Sequence, residues 1–268
     1  MRTLNPEVKR QAIEFTARFG FITRDIFFKH LCPYKHTQRY RTWRELIDQR
    51  WLIPHNSERK SAYLSRKSRL SYAPTAVAAR SQYFIEHDAI AAVIALELCR
   101  LNIVKRFWTE PEMARSIWDV YSILGSNHAD KIPDLVLDLN GSCGNLRIAL
   151  EIERTMKSKQ RYDVAALSYL GMKNVDLVIY GCAGKKLSDR IRTAFHGEAF
   201  SKSYKAPAVF LLEDFALNGF KADIIYNGQR FAFIEFLSKA LKVNLSDEPA
   251  DKQRTVVRAN DDAKKEAG

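Results

Sequence analysis

The feature that most constrains the fold is a pair of short apolar stretches, Lys131-Ile-Pro-Asp-Leu-Val-Leu-Asp-Leu-Asn-Gly141 and Leu146-Arg-Ile-Ala-Leu-Glu-Ile-Glu-Arg154. Between them lie the turn formers Asn140, Gly141, Ser142 and Gly144. This pattern predicts a β-hairpin. Side chains on a strand alternate faces, so Glu151 and Glu153 emerge on one side while Ile148, Leu150 and Ile152 point the other way. Pairing across the turn brings Asp134, at the start of the first strand, near Glu151 and Glu153 at the end of the second. Three carboxylates at one sheet edge repel one another, and such a cluster persists where a cation neutralises it; oxygen donors suit Mg²⁺ or Mn²⁺ rather than zinc. A metal site at Asp134, Glu151 and Glu153 is the central expectation. Taken singly, each acid also fits a plainer role: Asp134 follows a proline in a turn, and the glutamates are solvent-facing positions of an edge strand. Taken together, the apolar remainder of both strands argues for burial, and buried carboxylates need partners.

Charge points to the partner. The 268 residues carry a formal net charge of +12. Residues 1–80 hold seventeen Lys or Arg against six Asp or Glu, an excess of eleven. A merely solubilising surface spreads its charge more evenly, so a basic first third predicts nucleic acid as ligand. No apolar run reaches the roughly 20 residues of a membrane span, so no membrane insertion is expected. The start, Met1 to Arg10, is polar and charged, unlike a cleavable signal. Cys32, Cys99, Cys143 and Cys182 are scattered, without zinc-site or disulfide spacing. A reduced, cytoplasmic protein is the expectation.

Three domains are expected: residues 1–80, 81–245 and a charged tail over 246–268. In the first, a helix opens at Asn5 or Pro6 with an apolar stripe through Val8, Ala12, Ile13, Phe15, Thr16 and Phe19, and stops at Gly20. Thr23 caps a second helix closed by Pro33. A third runs from His36 or Thr37 to about Gln49, with Tyr40, Trp43, Leu46 and Ile47 on its apolar side and Lys35, Gln38, Arg39, Arg41 and Arg44 on the others. Two short strands, Trp51 to Pro54 and Ala62 to Leu64, flank the turn Asn56 to Lys60. Three helices and a basic hairpin predict a winged helix-turn-helix, the third helix entering the major groove. The cluster Arg59, Lys60, Arg66, Lys67 and Arg69 favours DNA over a protein-interaction module or a plain three-helix bundle.

Beyond residue 80 the order is helix (Ser81 to Cys99), strand (Leu101 to Trp108), a helix from Thr109 holding Ile117 and Trp118, and the two central strands. A helix follows from Lys159 to Leu170, then a buried strand Val175 to Tyr180, an amphipathic helix Lys185 to Phe195 and a strand Ala208 to Leu212. This is an α/β chain with a mixed sheet flanked by helices. After Ser246 the chain has few apolar anchors and is expected to be disordered.

That order, with Pro133-Asp134 on one strand and Glu151-Ile-Glu153 on the next, resembles the PD-(D/E)xK superfamily of nucleases. The basic front, His87-Asp88 opening a long helix, Trp108-Thr-Glu110, Ile132-Pro-Asp134 and Ala149-Leu-Glu-Ile-Glu-Arg-Thr-Met-Lys-Ser158 resemble, more narrowly, the replication-relaxation family, which includes MobC-type plasmid mobilization relaxases. The resemblance implies a metal-dependent endonuclease that nicks one strand of double-stranded plasmid DNA at an origin of transfer during conjugation. It also implies an accessory mobilization protein and a type IV coupling protein as partners. Asp134 matches the motif's first acid and Glu151 its second. Where the superfamily has lysine this chain has Glu153, and Lys157, or else Lys159, stands as a displaced lysine. Lys157 is thus the expected catalytic cation, and His87 and Glu110 are auxiliary candidates that serve equally well as helix caps or surface residues.

Tyrosine nucleophiles fit less well. Tyr121, Tyr162, Tyr169 and Tyr180 stand alone in apolar or helical patterns and are expected to pack in the core. Gly181-Cys-Ala-Gly-Lys-Lys186 lacks phosphate-loop spacing and reads as a helix start. Two further readings stay open: a non-catalytic DNA-binding replication or mobilization regulator with a degenerate nuclease domain, and a restriction-type enzyme cutting both strands.

Overall fold

The computed structural model describes residues 4–73, 75–115, 117–126, 131–195 and 206–245; the expected tail lies outside them. The chain divides into two compact units, the first running to Leu96 and the second starting at Glu97.

In the first unit, α1 (Pro6–Phe19) starts where Asn5 Oδ1 accepts the backbone N–H groups of Glu7, at 2.9 Å, and Val8. It ends at Gly20, whose φ of 77° is the left-handed conformation glycine adopts freely. Its apolar stripe is buried along its length. Next come β1 (Ile22–Thr23) and α2 (Arg24–Ile26), which is capped by Thr23 and continues as a π-helical turn over Phe27–Leu31. α3 (His36–Asp48) buries Trp43, Leu46 and Ile47. Tyr40, expected on that buried side, is 40% exposed and packs edge-on against Phe28. β2 (Leu52–Pro54) and β3 (Ser61–Leu64) pair antiparallel, and β1 joins the far edge of β3. Trp43 Nε1 donates to the Arg59 carbonyl at 3.0 Å, tying α3 to the β2–β3 turn.

One expectation changes here. Arg66, Lys67 and Arg69 belong to a helix, α4 (Arg66–Tyr72), rather than to the basic hairpin. Ser65 caps it by accepting the Ser68 N–H at 3.1 Å. Its sequence carries no apolar stripe, which is why only the cap residue signals it. Arg69 donates to the Val77 carbonyl at 2.7 Å, and Lys67 Nζ sits 3.8 Å from the centre of the Trp51 ring. The division between the units falls within the next helix, α5 (Gln82–Arg100).

The second unit is built on a seven-stranded mixed sheet. Its elements are β4 (Val104–Thr109), α6 (Glu110–Met113), α7 (Ile117–Leu124), β5 (Leu135–Gly141), β6 (Gly144–Glu153), α8 (Lys159–Gly171), β7 (Leu177–Cys182), α9 (Lys185–Ala194) and β8 (Ala208–Leu211). After them come α10 (Leu212–Asn218), β9 (Asp223–Tyr226), β10 (Gln229–Ala232) and α11 (Phe233–Leu241). The strand order is β10-β9-β8-β7-β6-β5-β4, with β6, β7 and β8 parallel and the outer pairs antiparallel. The single helix expected after Thr109 is two. A capping box between Thr109 and Glu112 starts α6, which stops at Ala114, and α7 leaves Ile117 and Trp118 exposed. Beyond Leu212, where no element is predicted, the Asn227-Gly228 turn, both residues at positive φ, marks the β9–β10 hairpin.

Alternation along the strands supplies a core to each face. Val136, Ala149, Val178 and Val209 meet Ile123, Tyr162, Tyr169 and Ile191 from the helices. On the opposite face Phe210, Phe215, Phe220 and Phe233 form an aromatic cluster with ring centroids 5.2–5.9 Å apart. No helix among the described residues is long and apolar enough to cross a membrane.

Candidate functional site

The register of the central hairpin positions the acids. β5 pairs with β6 from Leu135↔Leu150 to Gly141↔Gly144, so Asp134, one residue ahead of β5, falls beside the end of β6. Its Oδ2 accepts the Ile152 N–H at 2.7 Å. β6 runs on past this point because β7 supports it on the other side, pairing Glu151 with Tyr180, Ile152 with Gly181 and Glu153 with Cys182. A Cβ at Gly181 would lie 2.7 Å from the far ends of the Leu212 and Phe210 side chains, on the face opposite the acids, so a larger residue there would push those side chains aside. Glu151 is 3% exposed and Glu153 5%. Both share the face of Ala149, Tyr162 and Tyr169.

Each glutamate has acquired an ammonium partner. Lys131 Nζ lies 2.7 Å from Glu151 Oε2, and Lys157 Nζ lies 2.6 Å from Glu153 Oε2. The Tyr169 hydroxyl donates to Glu151 Oε1. The Tyr162 hydroxyl accepts the Lys157 N–H at 3.1 Å, holding the segment that carries this lysine. Burial pushes the Glu151 carboxyl up to about 7; Lys131 pulls it down and the neighbouring Asp134 pushes it further up. Burial opposes the charge on Lys131, but Glu151, Asp134 and Glu153 outweigh it and hold the ammonium above the usual lysine range. Burial, with the field of Glu151, raises the phenols of Tyr169 and Tyr180 well above the ordinary tyrosine value, so both stay neutral. The Cys182 thiol is raised to about 12 by burial and by Glu153, leaving it unreactive.

A cleft of ≈ 360 Å³ opens over this cluster, lined among others by Lys131, Glu151, Glu153, Lys157, Arg161 and Tyr162. Carboxylates and cations line it side by side. The donor set has the chemistry of a hard cation such as Mg²⁺ or Mn²⁺, and the cluster already holds a positive charge, the Lys131 ammonium. As arranged, Glu151 and Glu153 are each turned onto a lysine, and among the described residues no three His, Cys, Asp or Glu side chains are grouped so as to hold a metal ion.

The remaining candidates are distributed as follows. The Glu110 N–H donates to the Asp134 carbonyl at 3.0 Å, so this residue adjoins the site through its backbone. Lys159 is exposed at the first turn of α8. His87 belongs to the first unit, where its Nδ1 lies 3.0 Å from Asp88, itself paired with Arg80. Also in the first unit, Lys35, Arg41, Arg44, Arg59, Lys60, Arg66 and Lys67 are exposed, while Gln38 and Arg39 are half-buried. Arg59 meets Asp48 and Lys60 meets Glu58 at the surface, contacts that water screens.

Sequence reasoning misses Lys131, Tyr169 and Tyr162. Tyr162, Tyr169 and Tyr180 pack in the core as expected, whereas Tyr121 is 48% exposed on the short helix α7; the Tyr169 hydroxyl also holds Glu151 and that of Tyr162 the Lys157 backbone. Lys131 stands three residues before Asp134 on an irregular segment, where no periodicity reveals which way a side chain turns. Comparison with protein-family models, with curated proteins and with solved structures gives no match.

Proposed function

We propose that the chain is a metal-dependent DNA endonuclease of the plasmid mobilization relaxase kind, with a PD-(D/E)xK nuclease-like second unit and a winged helix-turn-helix in the first. One observation carries the reading: Glu151, Glu153 and Lys157 line an open cleft at one end of the β5–β6 hairpin, and Asp134, distant in sequence, adjoins them through the Ile152 N–H. Glu153 occupies the place where the superfamily has lysine, and the Lys157 ammonium reaches back to that carboxylate at 2.6 Å, as a displaced lysine must.

Mg²⁺ or Mn²⁺ would be held by Asp134, Glu151 and Glu153, and when bound supplies a water acidic enough to attack near neutral pH. The chain's own residues do the rest. Tyr169 orients Glu151, the Ile152 N–H orients Asp134, and Lys157 with Arg161 meets the negative charge on the scissile phosphate. Lys35, Gln38, Arg39, Arg41 and Arg44 of α3, with Arg59, Lys60, Arg66 and Lys67, contact DNA, the exposed cations chiefly through phosphates.

The pairing of Glu151 and Glu153 with lysines favours a second reading, a DNA-binding regulator whose nuclease domain has lost activity. Supercoiled plasmid carrying the cognate transfer origin separates the possibilities in the presence of Mg²⁺ or Mn²⁺. The nicking enzyme yields open circles and its Asp134→Ala variant does not, whereas a double-strand cutter yields linear DNA. Plasmid that wild-type protein binds but leaves supercoiled supports the regulator.

A further inference from the structure

We propose that Lys131 is an intramolecular counter-ion which occupies the acidic site until a divalent cation displaces it, so that metal binding is gated by withdrawal of one side chain. This rests on the reading of Asp134, Glu151 and Glu153 as metal ligands. The Lys131 ammonium lies 2.7 Å from Glu151 Oε2, and Tyr169 holds the other oxygen of that carboxylate. A metal bound by Glu151 must therefore take an oxygen that a cation of the chain already uses. The lysine is built for the task. It is largely enclosed, with 28% of its side chain exposed, and feels all three acids. It also stands on the irregular segment ahead of β5, so it can leave without disturbing a strand.

Lys131 and Lys157 together place two positive charges against the three negative ones of Asp134, Glu151 and Glu153. The competing ammonium lowers the affinity of these carboxylates for a second cation. Lys157 differs in kind, since it pairs within four residues of its own segment and meets Glu153 rather than Glu151. Displacement of Lys131 alone clears Glu151 and leaves Lys157 on the cleft.

Mn²⁺ binding to the full chain without DNA, followed by loss of the free-ion electron paramagnetic resonance signal, tests the gate independently of nicking. Lys131→Met, which keeps the apolar stem, is expected to bind Mn²⁺ about tenfold more tightly than wild type or better. Lys131→Arg is expected to gain nothing, and Glu151→Gln to lose binding. Equal or weaker binding by Lys131→Met, with wild type binding normally, overturns the gate and leaves the metal site standing. Absence of Mn²⁺ binding in both overturns the metal site and the gate with it. If Lys131→Met fails to fold, acetylation of Lys131 in the wild-type chain, mapped by mass spectrometry, decides the matter. A several-fold rise on adding Mn²⁺ supports displacement, and an unchanged rate rejects it.

Discussion

Two buried carboxylates on the same sheet face meet opposite fates. Asp138 on β5 accepts from Arg106 at 2.9 Å and from Arg147 at 2.5 Å, and Arg147 also donates to the Ile123 carbonyl. Both guanidiniums lie within 5.2 Å of the Trp108 ring centre. One anion with two fixed cations is more than neutralised: burial alone would raise the Asp138 pKa, but the arginine hydrogen bonds and charges override it and bring it below the ordinary value. Four residues earlier, three acids share two lysines, and Glu151 is left with a raised pKa. The first arrangement is a closed structural brace; the second is open to a cleft. Which way a buried acid's pKa moves is therefore decided by how its surroundings balance it.

The sharpest way to break this contrast is to remove each acid in turn. Asp138→Ala strands Arg106 and Arg147 and is expected to cost roughly 3–5 kcal/mol in urea unfolding, while Glu151→Gln costs far less or stabilises the fold. Equal losses would abolish the distinction. A smaller effect appears with pH. Between the ordinary 4.5 and the folded value of about 7, the native state keeps a proton on Glu151 that the unfolded chain has lost. This contribution is complete below the lower value and fades as pH rises through the upper one, by on the order of 3 kcal/mol. Urea midpoints across that range should diverge between wild type and Glu151→Gln as pH increases. Asp138 works in the reverse direction, losing its contribution as pH falls below the ordinary aspartate value of 3.8. The smallest effect is expected of Tyr169→Phe, about 1 kcal/mol, with the pH dependence of stability moved upward because a donor to the Glu151 carboxylate is gone.

The hairpin was the most legible part of the chain, because period-two alternation and a glycine turn together fix which acids share a face. α1 and α3 were equally plain from their caps and stripes. α4 was not, since Ser-Arg-Lys-Ser-Arg-Leu-Ser-Tyr has a basic composition and no periodicity, and its formation depends on contacts made after the fold closes. The β9–β10 hairpin carried a signal at Asn227-Gly228 that its short flanking strands obscured. At the site, the acids could be read from spacing, but their cations could not. Lys131 comes from an irregular segment and Tyr169 from a helix whose apolar pattern matches ordinary packing, and pairing across such distances leaves no trace in local sequence.

The β5–β6 register has a mechanical consequence. The pairing that sets Arg147 opposite Asp138 also sets Leu150 opposite Leu135, and so fixes where Asp134 meets the end of β6. A slip by one residue would turn Arg147 away from the brace and both glutamates away from the cleft at once. The arginine clamp, about 13 Å from the acids along the strand, thus acts as the ruler by which the acidic end is measured, and the chain cannot misalign one without dismantling the other.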